Sequence, residues 1–579
     1  MTREIWDADV LVVGGGITAV FAACKARAAG ADVLMVDQGH VGRSGCTPVA
    51  SGVIEMFMPG DDAEAWSRTE KSPLTNHALY RANLERYPEI LDLLEEAGVK
   101  FIKDGSEYVR LPSGRSEDPS NTLLAGGGPQ LGLALRALAL KRGVRTLNRV
   151  QIRGLLTSDG RSPTKGRVIG AVGFGTRTAD THIFTAPSVV MCTGPFSIPY
   201  GRLNIGWATR YMPIAASGDG HRAMWEAGAT MGKLELGYQG PRAIGFTTAP
   251  AIEMLAGIGG HTVYVNRKSE RFLSADFRKK EWGRSSIFTA MMREVSEGRG
   301  PVGIDVTHFS AEERRLLKQV VPIVIENFES AGIDISSEAV PYMVAPPIGV
   351  GSSGGGARID PTGRTDVEGL FAAGNCSDGA YVTLGQGLGI CAMTGLWAGE
   401  SAAEAASPTA DAVTVDDDQV ARFEADYLQP ILSPGPLPTA EVVDILTDLR
   451  LDLTPTMNSE NLSRAMAAAG QLDERLETGP SATDAHGLSK INALRSSVKI
   501  LRLALRVMLH REESRGNLIR DDFPMTDNDR WLVHTVVEND GTSEGALRDI
   551  PIPPSFWITA PPSGAVIHNY FTERTVSER

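Results

Sequence analysis

The fold is decided by residues 9–37, which read Asp9-Val10-Leu11-Val12-Val13-Gly14-Gly15-Gly16-Ile17-Thr18-Ala19, then a small-residue stretch to Gly30, then Asp32-Val33-Leu34-Met35-Val36-Asp37. Asp9–Val13 is a short apolar run without alternation, as expected of a strand buried on both faces. Ile17, Val20, Phe21, Cys24 and Ala28 then recur at the period of a helix, Gly30 closes it, and Asp32–Val36 is a second strand ending in Asp37. Between first strand and helix stands G-x-G-x-x-A. Gly14 permits the tight turn, Gly16 lets the backbone approach a pyrophosphate, and Ala19 lets helix and strand pack closely. The helix N-terminus turns free N–H groups and positive partial charge toward the phosphates. Asp37 stands about twenty residues on, where an acid accepts hydrogen bonds from a ribose hydroxyl. Strand, turn, helix, strand and terminal acid occur in order and predict a Rossmann-type dinucleotide site.

Further small-residue blocks follow. Gly42-Arg43-Ser44-Gly45-Cys46-Thr47 and Ala50-Ser51-Gly52 form a second loop after Asp37. Val189–Gly194 ends in Thr193-Gly194, and Ser217-Gly218-Asp219-Gly220 is a second glycine turn. Gly369-Leu370-Phe371-Ala372-Ala373-Gly374-Asn375 precedes Gly385–Gly389, which opens a helix. Near the end stand Glu513-Ser514-Arg515-Gly516 and Arg520-Asp521-Asp522-Phe523-Pro524. In this order the blocks resemble those of the flavoprotein subunits of the succinate dehydrogenase/fumarate reductase family, with L-aspartate oxidase and the adenylylsulfate reductase α subunit. The resemblance spans nearly the whole chain.

It implies an α/β fold: a Rossmann-type FAD-binding domain interrupted by an α+β capping domain and followed by an α-helical C-terminal domain. The expected division is 1–230 and 345–406 for the FAD-binding domain, 231–344 for the cap, and 407–418 for an Ala-, Thr-, Pro- and Asp-rich linker. Residues 419–550 then form the helical domain and 551–579 a tail. The cofactor implied is FAD. Its expected contacts are Gly14, Gly16, Ile17, Thr18, Ala19, Asp37, Gln38, Arg43, Ser44, Gly45, Ser51, Gly52, Val150, Thr193, Gly194, Asp219, Gly374, Asn375, Gly387 and Leu388. Asn375 replaces the family's usual Glu and still offers a hydrogen bond to the ribityl chain. The helix opened by Gly385–Gly389 is expected to favour negative charge on the reduced ring.

The substrate residues depart from the family. Many members attach FAD covalently through a His after R-S; Gly45 stands there, so a non-covalent, dissociable FAD is expected. The proton-donating Arg of succinate and fumarate enzymes corresponds to Ile258. Their H-P-T block corresponds to Tyr238-Gln239-Gly240-Pro241, their H-Y-T-M-G-G block to Gly351–Gly356 without the His, and their second carboxylate-binding Arg to Thr383. A desolvated dicarboxylate needs a cationic or multi-donor partner at each end. A substrate other than succinate, fumarate or aspartate is therefore expected. The candidate catalytic residues are Arg242, to bind an anion or polarise a carbonyl; His261 or Tyr381, to move a proton; and Thr383, beside Tyr381 in the loop before the flavin helix.

Composition bounds the rest. The chain has 579 residues and a net charge of −13, which disfavours nucleic-acid binding. The five cysteines contain no CxxC pair and offer no iron–sulfur or zinc ligand set. The resemblance therefore implies that electrons pass to or from a separate iron–sulfur or quinone-linked protein, within a homo- or hetero-oligomer, with free oxygen as the other acceptor. The uncharged stretches Ala339–Ala357 and Gly379–Gly399 are broken by glycine and read as buried backbone, not membrane spans. The expected location is cytoplasmic, or peripheral at the inner face of a membrane through the partner. Along Ile491, Leu494, Val498, Leu501, Leu505 and Met508 runs a buried helix face, with Arg495, Lys499, Arg502 and Arg506 off it as a solvated or partner-docking stripe. Two alternatives stand beside a substrate-converting enzyme. One is a flavin-binding electron-transfer protein without its own substrate chemistry; the other is an adenylylsulfate-reductase-like or oxygen-using oxidase enzyme.

Overall fold

The computed structural model describes residues 1–63, 66, 72–112, 119–196, 216–236, 242–243, 263–273, 283–343, 355–379, 387–406 and 414–572. Its centre is a parallel five-stranded sheet in the order Leu370–Ala372, Ser188–Met191, Val10–Val13, Val33–Asp37, Arg145–Asn148. Both faces are covered, which is why these strands read as unbroken apolar runs. Val10, Val12, Val33, Met35, Val190 and Phe371 face a core shared with the helices Ile17–Ala28, Gly127–Lys141 and Gly387–Ala405. Leu11, Val13, Leu34, Val36, Val189, Met191 and Leu370 point the other way, into a core shared with a second sheet and the C-terminal helices.

That second sheet runs Arg3–Asp7, Thr181–Thr185, Val168–Gly175, Val150–Thr157. On the first face the helices Ile17–Ala28 and Gly387–Ala405 approach through small residues. A Cβ added at Gly395 would sit 2.4 Å from the Thr18 carbonyl oxygen, and one at Gly399 would sit 2.2 Å from that of Ala22. The part of the uncharged stretch from Gly387 through Gly399 is thus buried helix. Among the described residues no helix is long and apolar enough to cross a membrane.

Within 231–344 lies an antiparallel sheet in the order Arg242–Ala243, Val340–Met343, Val302–Asp305, Val263–Val265. It packs with the helices Ala311–Val320 and Pro322–Ser330 around Tyr264, Phe272, Ile304, Leu317 and Phe328. This core also takes in Val53 and Leu123 from the FAD-binding half, so cap and cofactor domain share a seam. Beyond the linker come the helices Asp417–Leu432, Thr439–Asp452, Ser459–Thr478 and Ala485–His510. The hairpin Val533–Glu538 with Ala546–Pro551 returns to pair with Met231–Gly232, which also pairs with Gly356–Ala357. In the tail, Ala565–Ile567 pairs with Met525–Asp527.

The basic stripe of Ala485–His510 is neither a solvated face nor a free docking face. Arg495 is buried and donates to the carbonyls of Leu476 (3.0 Å) and Asp426 (2.9 Å) and to Gln429 Oε1 (2.8 Å). Arg502 pairs with Asp473, and Arg506 donates to the Glu544 carbonyl at 2.6 Å. The helix is surrounded by other elements, and its arginines are spent on their carbonyls and acids.

Candidate active site

The loop after Val10–Val13 opens onto a cavity bounded by three helix N-termini. Gly14, Gly16, Ile17 and Thr18 line it at the start of Ile17–Ala28; Gly218, Asp219 and Gly220 at the start of Asp219–Ala227; Gly387 and Leu388 at the start of Gly387–Ala405. Each end presents N–H groups and positive partial charge. No Lys or Arg lines the cavity among the described residues, whereas Asp37, Glu55 and Asp219 do. An anion held here is thus held largely by backbone.

The fingerprint turn is closely packed. Gly14 has φ +128, and a Cβ on it would meet the Cys192 carbonyl oxygen at 2.3 Å, so only glycine brings the chain under the neighbouring strand end. The Ile17 N–H is already bonded to Thr47 Oγ1 at 3.0 Å, which ties the second loop to the helix start. Asp37 Oδ1 accepts from the Gly39 N–H (2.8 Å) and from Ser44 Oγ (2.6 Å). Its other oxygen lies 2.8 Å from where a Gly15 Cβ would be, on the cavity side. Burial pushes the Asp37 carboxyl up, offset in part by the Ser44 and Gly39 bonds.

Most of the residues expected to touch the cofactor meet at this cavity. Gln38, Ser44, Gly45, Ser51, Val150, Thr193, Gly194 and Asn375 line it with those already named. Four do not. Ala19 is buried in the helix–sheet core, and Gly52 packs against Gly127. Gly374 packs on Thr18, and Arg43 is exposed to solvent on the loop. Gly45 has φ +81 and open space where a Cβ would stand. Asn375 Oδ1 accepts from the Cys391 thiol at 3.7 Å. Burial pushes Cys391 up to about 11 and Cys192 well above its usual range, so both wall thiols stay protonated and unreactive.

Of the catalytic candidates, His261, Tyr381 and Thr383 lie outside the described residues, as does Ile258. Arg242 is described as backbone only, in the cap-sheet strand that pairs it with Met343. Among the wall residues that the sequence reading did not single out are the polar Glu55, Gln151 and His221. Glu55 is a buried acid ending the strand Val53–Glu55. His221 directly follows the Gly218-Asp219-Gly220 turn, and that adjacency is the signal that would have found it. Its Nε2 lies 3.0 Å from the Gly355 carbonyl oxygen, while burial pushes its pKa down to about 4. The ring is therefore neutral near pH 7, with Nε2–H donating and Nδ1 left as an acceptor. Among the described residues Nδ1 has no hydrogen-bond partner, nor has Gln151 Oε1. Both are buried acceptors in the wall, suited to a ligand bringing hydroxyl or N–H donors, as the ribityl chain, ribose and ring N3 of FAD do. The residues present therefore fit FAD.

Comparison with known proteins agrees. An FAD binding domain model matches residues 9–391, and the model for the fumarate reductase flavoprotein C-terminus matches residues 452–560. A fumarate reductase (CoM/CoB) subunit of Methanothermobacter marburgensis is 26% identical over 91% of this chain and 96% of its own. L-aspartate oxidase of Streptomyces coelicolor is 25% identical over 92% of this chain and 91% of its own. The structure of adenylylsulfate reductase from Archaeoglobus fulgidus superposes with a TM-score of 0.81 at 19% identity, covering 96% of this chain and 98% of that one. The chain belongs to the family of FAD-dependent oxidoreductases that includes the flavoproteins of fumarate reductase and L-aspartate oxidase.

Proposed function

We propose that this flavoprotein interconverts a small organic substrate carrying at most one carboxylate, and exchanges the electrons with a separate iron–sulfur or quinone-linked protein. The observation that carries the reading is one of charge. The sequence puts Ile258 at the position of the related enzymes' proton-donating Arg, Gly351–Gly356 at that of their His-bearing block, and Thr383 at that of their carboxylate-binding Arg. Burying a second carboxylate without such residues would leave a charge without a partner, which costs several kcal/mol or more.

FAD supplies the two-electron chemistry, taking or giving a hydride at its N5. The chain's own residues do the rest. The start of Ile17–Ala28 would hold the pyrophosphate, and the start of Gly387–Ala405 would favour negative charge on the reduced ring. Asp37 accepts from the adenosine ribose. The cap excludes water along its seam with Val53 and Leu123. Arg242 holds a single anionic group or polarises a carbonyl, and His261 or Tyr381 moves the proton, with Thr383 beside it. The separate partner is supported by the chain's lack of a cluster-ligand pattern and by the methanogen relative's being named as one subunit of its enzyme. The FAD is non-covalent, since Gly45 offers no side chain to bond it.

The test is reoxidation of the chemically reduced holoprotein under anaerobic conditions. Unsaturated monocarboxylates, neutral enones and fumarate are added separately, and the return of the oxidised-flavin band is followed. Reoxidation by a monoanionic or neutral compound and none by fumarate is expected. Rapid reoxidation by fumarate alone would overturn the reading.

A further inference from the structure

Asp219 is the one described cavity-lining residue whose side chain is also bonded into the helical C-terminal domain. Its Oδ2 accepts from Gln151 Nε2 at 2.8 Å and from Ser217 Oγ at 2.7 Å, both within the FAD-binding half. Its Oδ1 accepts from Ser496 Oγ at 2.6 Å, and Ser496 stands in the helix Ala485–His510. The same hydroxyl accepts from Arg153 Nη1 at 2.9 Å, while that nitrogen lies 3.4 Å from Asp219 itself. The serine hydroxyl thus relays between carboxylate and guanidinium, donating to one and accepting from the other. Ser496 is fully buried and Arg153 nearly so.

Behind this triad stands Asp426, on the helix Asp417–Leu432. Its Oδ2 accepts from Arg153 Nη2 at 3.3 Å and from Arg222 Nη2 at 3.4 Å, and Arg495 lies 3.6 Å from its Oδ1. Burial pushes the Asp426 carboxyl up, but the nearby Arg222, Arg153 and Arg495 outweigh it and hold it below the usual carboxylate range. Asp426 therefore stays ionised and anchors three arginines, drawn from the second sheet, the helix Asp219–Ala227 and the helical domain. Alongside, Ser497 Oγ donates to the Ser217 carbonyl at 2.9 Å, tying the next residue of the same helix to the turn that carries Asp219.

The electrostatics give the arrangement a purpose. A carboxylate in the wall of a cavity that receives a pyrophosphate repels it. Arg153, buried behind Asp219, offsets that charge only while Ser496 and Asp426 hold it there. We propose that Ser496 and Asp426 are positioning residues of the cofactor site. They keep Asp219 and Arg153 in place, so that FAD affinity depends on the docking of the helical domain and bound FAD strengthens that docking in return. The reciprocity is thermodynamic: whatever factor docking contributes to FAD affinity, FAD contributes to docking.

The test titrates full-length apoprotein with FAD, following protein and flavin fluorescence, and measures the melting temperature with and without saturating FAD. Ser496→Ala leaves the relay unbridged and is expected to raise the FAD Kd by about tenfold, a common size for coupling between sites. Asp426→Asn, at a side chain 34% exposed, keeps an acceptor oxygen for the arginines; it is expected to raise the Kd by a smaller factor and carries the test if the serine variant does not fold. Asp473→Asn is the control. It removes the Arg502 ion pair elsewhere on the same helix and should lower the melting temperature with the FAD Kd unchanged. Wild-type FAD affinity in both Ser496→Ala and Asp426→Asn would overturn the proposal. So would an equal loss of affinity in Asp473→Asn, which would mark the effect as general destabilisation.

Discussion

The cofactor cavity and the cap seam solve their binding problems with different material. In the cavity the ligand's charge is met by backbone: three helix starts, a glycine turn, and loops locked by Thr47 and Ser44. On the substrate side the proposed chemistry rests on single side chains: Arg242, in the cap-sheet strand, and His261, Tyr381 and Thr383, which lie outside the described residues. Backbone geometry survives wide sequence change because many sequences form a helix with a glycine turn before it. A side-chain clamp is lost with one substitution. That contrast explains how a chain 25–26% identical to an aspartate oxidase and one fumarate reductase subunit keeps their cofactor fold while the proposed substrate chemistry differs.

The sharpest way to break the comparison is at Gly14. Gly14→Ala puts a Cβ 2.3 Å from a main-chain oxygen at a left-handed φ. It is expected to cost about 3 kcal/mol or more and to yield protein without bound flavin, read from the visible spectrum after purification. Normal flavin content would show that the turn is not held as tightly as the packing implies. A smaller and separable effect is expected at the cap. Arg242→Ala should leave FAD affinity unchanged and lower kcat/KM for a turnover substrate by about a hundredfold, equivalent to about 2.7 kcal/mol. Arg242→Lys should restore part of it if the role is charge, and little if it is two-pronged hydrogen bonding. Loss of FAD in Arg242→Ala would erase the distinction between the two regions.

Much of the cofactor side was legible in the sequence for the same reason that it is robust. Gly14, Gly16, Ala19 and Asp37 are fixed by spacing along one continuous segment, so local pattern suffices. Gln151 and His221 were not legible, because their approach to the cavity depends on how the second sheet and the helix Asp219–Ala227 fold back onto the first. The Ala485–His510 helix shows a related limit. Its apolar period revealed one buried face correctly, but periodicity does not tell whether a polar face meets water or other polar protein. Arg495, Ser496 and Ser497 meet protein, through carbonyls and carboxylates from elements distant in sequence. Arg43 is the opposite case: it is expected among the cofactor contacts, while the described loop leaves it exposed and gives the cavity wall Ser44 and Gly45. On the substrate side the sequence offers only an expectation of what is replaced, at Ile258 and Thr383, and not of what takes over, because substitutes need not occupy the same positions.

The central claim, a family-type cofactor site joined to a substrate site without a dicarboxylate clamp, is tested most directly by flavin bleaching. Oxidised holoprotein is mixed anaerobically with succinate, with L-aspartate, and with a series of saturated monocarboxylates and neutral ketones, while the visible flavin band is recorded. The account predicts that succinate and aspartate leave the band intact and that at least one monoanionic or neutral compound bleaches it. Bleaching by succinate or aspartate, with the rest of the series inert, would contradict it and return the chain to the dicarboxylate chemistry of its relatives.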